Sequence, residues 1–365
     1  MPMTTLSRRG FARLVGTATA VAALPAFPSL LLAKGAEASR TVRLSANENP
    51  YGPSPASIRA VDEAMQHASR YPDDAVDALI AQLASLHGVS PSEVLLGNGS
   101  SEILKIAASA WLPKSQRLVM ADPAFEALAI YAAAIGAQVV RVPLTAGYAH
   151  DLGKMKAATL PGALLYICNP NNPTATITPK AAVRELLASV PETTVVLVDE
   201  AYHHYASNSD YESVIPLVKS HPNLIVARTF SKVYGLAGLR CGYAVAQHPT
   251  IATLSAQQPW DSVNAAALAA ASAGLRDTEW VDAGKRRNAE TRAWLYEHLR
   301  AKGLSYLPSE TNFVMIDLGR DVKPVIASMR SRGVEPGRRF SAMPHHLRIT
   351  IGTPEEMRRF VEVLP

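Results

Sequence analysis

The chain has 365 residues, 48% of them hydrophobic and 18% charged, and a formal net charge of +5. That composition can bury a large core, in one large domain or two closely joined ones, and it excludes a disordered chain. Within the first 38 residues Arg8, Arg9, Arg13 and Lys34 face only Glu37, so about +2 remains beyond them, with no Lys/Arg block to bind nucleic acid; small molecules are the expected partners.

Chain order begins with Ser7-Arg8-Arg9-Gly10-Phe11-Ala12-Arg13, an uncharged apolar run from Leu14 to Leu32, and Ala36-Glu37-Ala38. This pattern reads as a twin-arginine export signal over 1–38 with an A-x-A cleavage site, which sends the mature chain to the periplasm or outside the cell. A membrane anchor is the poorer reading, because the run is rich in Ala and Thr and is broken by Pro25 and Pro28, so no stable anchor is expected after cleavage. Residues 39–60 form an arm expected to join a small domain, and Asn47-Glu48-Asn49-Pro50-Tyr51-Gly52-Pro53 within it is turn chemistry.

From residue 61 to 262 the chain alternates helical stretches with short apolar runs. The runs are Val94 to Leu96, Arg117 to Ala121, Gln138 to Val142, Ala163 to Ile167, Thr194 to Val198, Leu224 to Ala227 and Cys241 to Val245. Consecutive Val, Ile and Leu mark strands buried on both faces, so the fold class is α/β with an open, mainly parallel sheet. Helices are expected over Ser100 to Trp111, Ala124 to Ile135 and Pro179 to Ser189, the last with Thr178 as N-cap and Pro179 in its first position. An Ala-rich helical stretch from Val263 to Lys302, broken at Gly274, opens the segment 263–365. Asn312 to Asp317, Val322 to Arg332, Leu347 to Ile351 and Pro354 to Val363 then read as a smaller α+β domain. Cys168 and Cys241 are the only cysteines, which excludes a disulfide framework. No metal site is expected, since the adjacent His203-His204 and His345-His346 make no chelate by adjacency alone.

In open α/β sheets ligands lie at the carboxyl ends of the strands. The residues that follow the apolar runs are Gly97-Asn98-Gly99-Ser100-Ser101, Cys168-Asn169-Pro170-Asn171-Asn172-Pro173-Thr174, Asp199-Glu200-Ala201-Tyr202 and Thr229-Phe230-Ser231-Lys232. A Gly-containing turn into a helix offers free N–H groups to a phosphate, although an ordinary strand-to-helix turn looks the same. A carboxylate at a buried strand end needs a cationic partner. Lys232, with Ser231 before it and Arg240 eight positions later, suits an amine that forms a Schiff base beside a phosphate; a surface lysine before a Gly-rich turn is the plainer alternative.

Together with Asn47-Glu48-Asn49-Pro50, Gly238-Leu239-Arg240 and Leu347-Arg348-Ile349-Thr350-Ile351-Gly352, these segments occur in the order found in class I/II aminotransferases. The chain resembles that pyridoxal-phosphate family, and within it the histidinol-phosphate aminotransferases. The resemblance implies a fold-type I transferase with a seven-stranded sheet, working as a homodimer on an α-amino acid, or a histidinol-phosphate-like amine, and a 2-oxo acid. It implies pyridoxal 5'-phosphate bound to Lys232, which doubles as the proton-transferring base; Asp199 on the pyridine nitrogen; Asn172 and Tyr202 on the phenolic oxygen; and Phe125 on the ring face. Ser100, Ser101, Ser231 and Arg240 would hold the phosphate, with Tyr71 reaching that of a neighbouring subunit. Arg348, with Asn47 nearby, would bind the substrate carboxylate.

Two departures bear on substrate and strain. Ala175 stands where the family usually has glycine, so the turn must avoid a positive φ or accept strain. Gly333-Val334-Glu335-Pro336-Gly337-Arg338-Arg339-Phe340 differs from the segment typical of histidinol-phosphate enzymes, which leaves open whether Arg338 or Arg339 meets substrate. A decarboxylase of the same outline and a non-catalytic ligand-binding protein are the rival readings. The dinucleotide fingerprint G-x-G-x-x-G is missing.

Overall fold

The computed structural model describes residues 41–113 and 117–365. The export signal read over residues 1–38 lies outside the described residues.

The seven apolar runs form one sheet. Its strands are β2 (Val94–Gly97), β3 (Arg117–Asp122), β4 (Gln138–Pro143), β5 (Leu164–Cys168), β6 (Val195–Asp199), β7 (Leu224–Thr229) and β8 (Gly242–Val245), in the order β2-β8-β7-β6-β5-β3-β4. Only β8 runs against its neighbours, so the sheet is mainly parallel and the α/β expectation holds. Every residue of β5, β6, β7 and β8 is buried, which is why these runs are continuously apolar instead of alternating. Near the ends of the sequence, β1 (Val42–Leu44) pairs in parallel with β11 (Val334–Pro336). The strands β9 (Ser305–Leu307), β10 (Phe313–Asp317) and β12 (His346–Thr350) make an antiparallel sheet in the order β12-β10-β9. Leu44, Val314, Ile316, Leu347, Met357 and Phe360 belong to a second hydrophobic cluster around this sheet.

Register decides what meets at the sheet's edge. Cys168 is paired with Asp199, Asp199 with Ala227, and Thr229 with Gly242. The ends of β5, β6 and β7 and the start of β8 therefore lie side by side, next to helix Ser100–Trp111.

Three local expectations are corrected. Thr178 does not cap its helix: Lys180–Ser189 is capped by Pro179 without a side-chain bond, and the Thr178 hydroxyl instead meets His150 Nδ1 at 2.9 Å. Gly274 does not break the Ala-rich stretch; it lies inside helix Ala265–Arg276, where an added Cβ would come 3.2 Å from Ser57 Oγ. The break falls at Asp277, whose side chain caps helix Thr278–Ala301 by accepting from Trp280 N. The helix expected from Ala124 starts at Ala127, so Phe125 and Glu126 sit on the preceding turn. No helix among the described residues is long and apolar enough to cross a membrane.

Gly242 lets β8 lie against the start of helix Ser100–Trp111. A Cβ there would stand 2.4 Å from Ser100 N and 2.8 Å from Arg228 O, both backbone atoms that cannot swing away. Gly242→Ala should therefore cost about 2 kcal/mol of stability, as overpacking does. The check is a lower urea midpoint at unchanged m-value, and an unshifted midpoint would show that the two backbones can part.

Candidate active site

A cavity of about 360 Å³ opens where the strand ends converge. All the candidate residues except Tyr71 line it: Asn47, Ser100, Ser101, Phe125, Asn172, Asp199, Tyr202, Ser231, Lys232, Arg240 and Arg348. Tyr71 is 77% exposed on the outer surface and reaches no part of this cavity.

At one end lies an anion cradle. Helix Ser100–Trp111 starts from Gly99 at φ +77°, and no side chain caps it, so its first N–H groups are free of a capping partner. Arg240, itself at φ +64°, donates from Nη1 to Ser231 Oγ at 3.3 Å and to Ala237 O at 3.0 Å. Its Nη2 comes so close to Gly99 that a Cβ there would be 2.1 Å away, so only glycine allows the guanidinium against the helix start.

Asp199 lies at the other end, with only 2% of its surface exposed. Its Oδ1 accepts from Ala201 N and its Oδ2 from the Tyr166 hydroxyl, both at 3.0 Å. Burial pushes its carboxyl up to about 6, and these two donors oppose the rise. The neighbouring Glu200 is neutralised separately: Arg228 Nε and Nη2 both donate to Glu200 Oε2, at 3.0 and 2.7 Å, and Val214 N caps Oε1.

Between the two ends stands Lys232. Its Nζ donates to Asn47 O at 3.1 Å and sits 5.4 Å from the centre of the Tyr202 ring. Burial, with the Arg348 charge nearby, lowers its pKa to about 8. The Tyr202 oxygen accepts from Asn47 Nδ2 at 2.9 Å and from Asn172 Nδ2 at 3.4 Å, which leaves its own proton free to donate. Arg348, 8% exposed, donates to Asn172 Oδ1 at 2.8 Å and to Ser45 O at 2.6 Å. Among the described residues no carboxylate pairs with it.

The donor set fits pyridoxal phosphate: a cradle for a dianion, a lysine with a lowered pKa, an aromatic ring at the cavity wall and a buried carboxylate for a protonated ring nitrogen. The model for aminotransferases of class I and II matches residues 39–364. The chain belongs to that family. A histidinol-phosphate aminotransferase of Symbiobacterium thermophilum is 42% identical over 327 residues, covering 88% of this chain and 89% of its own. The histidinol-phosphate aminotransferase 2 of Ralstonia nicotianae is 43% identical over 330 residues, covering 88% and 87%. The crystal structure of the Sinorhizobium meliloti histidinol-phosphate aminotransferase in complex with pyridoxal-5'-phosphate superposes with a TM-score of 0.83 at 28% identity, over 88% of this chain and 89% of the other. The protein is thus a pyridoxal-phosphate-dependent aminotransferase of fold type I.

Several residues of the aminotransferase site were not legible beforehand. Tyr166 was hidden in an apolar strand; its signal is a polar tip with no water to bond. Thr350 Oγ1 accepts from Asn47 N at 2.9 Å and Asn312 Nδ2 donates to Asn47 O at 3.0 Å, which hold Asn47 at φ +56°. Arg338 lines the cavity, stacked 4.4 Å from the Phe340 ring centre and paired with Glu126 at 2.6 Å. Arg339 points elsewhere, to Asp321 at 2.8 Å. Ala175 takes φ +64° while fully buried, so the turn accepts the strain that glycine would avoid. The His203 and His204 rings lie 4.2 Å apart with their planes tilted by 57°, and among the described residues no three metal-ligating side chains gather.

A neutral amine is needed to capture an aldehyde, and the neutral fraction rises with pH up to the pKa. Covalent capture of added pyridoxal phosphate by the cofactor-free chain should therefore accelerate about tenfold per pH unit and level off near pH 8, instead of continuing to the usual lysine value of about 10.4. Arg348→Met should move that plateau upward, because a like charge no longer disfavours the ammonium. Stopped-flow growth of the visible absorption band gives both numbers.

Proposed function

We propose that this aminotransferase carries an amino group between an α-amino acid, or an amine like histidinol phosphate, and a 2-oxo acid, with the site residues in the roles the family pattern gives them. One observation supports this most: Arg348 is buried in the cavity wall with neutral oxygens as its described hydrogen-bond partners, and a buried guanidinium of that kind calls for an anion. A substrate carboxylate supplies it. When bound, pyridoxal phosphate provides the electron sink for the pair left at the substrate's α-carbon. Lys232 Nζ takes the proton from that carbon and returns it one position along, and its lowered pKa leaves a useful neutral fraction near pH 7. Asp199 holds positive charge on the ring nitrogen, and Tyr202 turns its free proton toward the ring oxygen. Ser100, Ser101, Ser231 and Arg240 anchor the phosphate so that the ring cannot leave while its link to the lysine is exchanged.

Lys232→Ala should lose both the visible band of the lysine-bound cofactor and steady-state turnover; full activity in that variant would end this reading. Arg348→Ala, which removes a charge-assisted contact, should raise KM for carboxylate substrates roughly 10- to 100-fold. Arg338 faces the substrate's distal group in this reading, so Arg338→Met should change the ratio of KM values across an amino-acid panel more than their mean. Product analysis in the same assay separates transamination, with its new keto acid, from decarboxylation, with its amine and carbon dioxide.

A homodimer is part of the proposal. Tyr71 is 77% exposed, and Trp260, 96% exposed, borders a groove that begins at Pro72; solvent-facing aromatics in one neighbourhood suit a buried subunit contact. Light scattering should give twice the chain mass, and Tyr71→Phe should loosen the cofactor in the dimer. Export by the twin-arginine route is likewise proposed, on the Arg8-Arg9 pattern and on a family match that starts at residue 39, just past Ala38. A periplasmic fraction that still fills in a strain without the twin-arginine translocase would rule it out.

A further inference from the structure

Tyr166 is the one polar tip in the apolar run of β5, and its side chain is fully buried. Strand geometry puts it on the same face as Cys168, two positions on, and register puts Cys168 opposite Asp199 on β6. The hydroxyl therefore reaches forward, toward the carboxyl ends of the strands, and donates to Asp199 Oδ2 at 3.0 Å. Asp199 needs that donor. The groups that face it are Tyr166 and Cys168 from β5, Glu200 and Tyr202 from its own strand end, and Lys232 from the loop after β7. Burial raises its pKa, Glu200 raises it further, and the buried Arg228 is committed to Glu200. The Tyr166 hydroxyl, the Ala201 N–H and the Lys232 charge favour the ionised carboxylate, in that order.

We propose that Tyr166 is a positioning residue for transamination: it fixes Asp199 Oδ2 and weakens that carboxylate as a base, so that the proton shared with the cofactor's ring nitrogen stays on the ring. This rests on the pyridoxal-phosphate reading of the cavity. A carboxylate that accepts a hydrogen bond holds a proton less well. Remove the donor, and Asp199 competes for the ring's proton; the ring loses its positive charge and with it much of its capacity to accept electrons. The tyrosine touches neither cofactor nor substrate, and its effect travels through one oxygen.

The test is the holoenzyme with Tyr166→Phe, which keeps the ring and removes the hydroxyl. With the ring charge lost, the pH midpoint of the visible cofactor band should rise, kcat should fall about tenfold or more, and KM for the amino acid should stay within about twofold. A tyrosine that serves only to fill the core would lower thermal stability and leave the midpoint where it was, and that result would overturn the proposal. Should the Phe variant fail to fold, 3,5-difluorotyrosine at position 166 decides: a more acidic phenol donates more strongly and should lower the midpoint, while an unmoved midpoint again overturns the idea. Wild-type protein that develops no visible band with pyridoxal phosphate would instead sink the underlying reading of the cavity, so the two failures are distinct.

Discussion

The buried ion pair between Glu200 and Arg228 sets the terms for everything around the cofactor cavity. Two carboxylates stand next to each other at the end of β6, and an apolar sheet cannot hold two uncompensated negative charges. Arg228, on the neighbouring strand, satisfies Glu200 with two of its nitrogens and reaches Ser213 with the second. Breaking such a pair by removing one partner costs about 3–5 kcal/mol. Because that pair is closed on itself, Asp199 is left ionisable, fixed and without an arginine of its own. A carboxylate in that state is what a cationic ring nitrogen requires.

The same division of labour appears on the substrate side. Arg348 is held by an amide and a backbone carbonyl, neither of which cancels its charge, so it faces the cavity as an unneutralised cation beside the lysine. The Arg348 charge in turn helps to keep Lys232 from holding its proton too tightly. Anion recognition and base strength are therefore linked through space, and a change made for one will be felt in the other.

Much of this was legible in the sequence, and the reasons differ by residue. The seven strands announce themselves because burial on both faces demands unbroken apolar runs, and the residues after those runs are exposed to the cavity by topology. Position marks the strand ends that carry Asp199, Asn172 and Lys232, and the family resemblance supplies their roles. Tyr166 does not, because its importance comes from which residue lies across from Cys168, and pairing register is a property of two strands. Thr178 looked like a cap because Thr-Pro is a good local start signal, yet a tertiary bond to His150 outcompeted it. Gly274 looked like a break because glycine is a poor helix former, yet it lies within the helix at a point where Ser57 and Tyr234 leave only tight space for a Cβ. Arg338 and Arg339 are neighbours in sequence with identical chemistry, and only the fold of the loop after β11 sends one to the cavity and the other to Asp321.

Asn47 ties the site to the segment that follows β1. Its carbonyl receives Lys232, its amide reaches Tyr202, and Thr350 and Asn312 clamp it from the far end of the sequence. Immediately before it, Ser45 receives Arg348, and β1 is fastened to β11 by only three paired residues. Lys232 and Arg348, which both line the cavity, are thus oriented by the short segment that follows β1. Any peptidase that trims beyond Asn47 would remove the carbonyls that hold Lys232 and Arg348 while sparing every strand of the large sheet. Loss of those two carbonyls would free both cations to turn, so the backbone of this segment shapes the cavity as much as the side chains that line it.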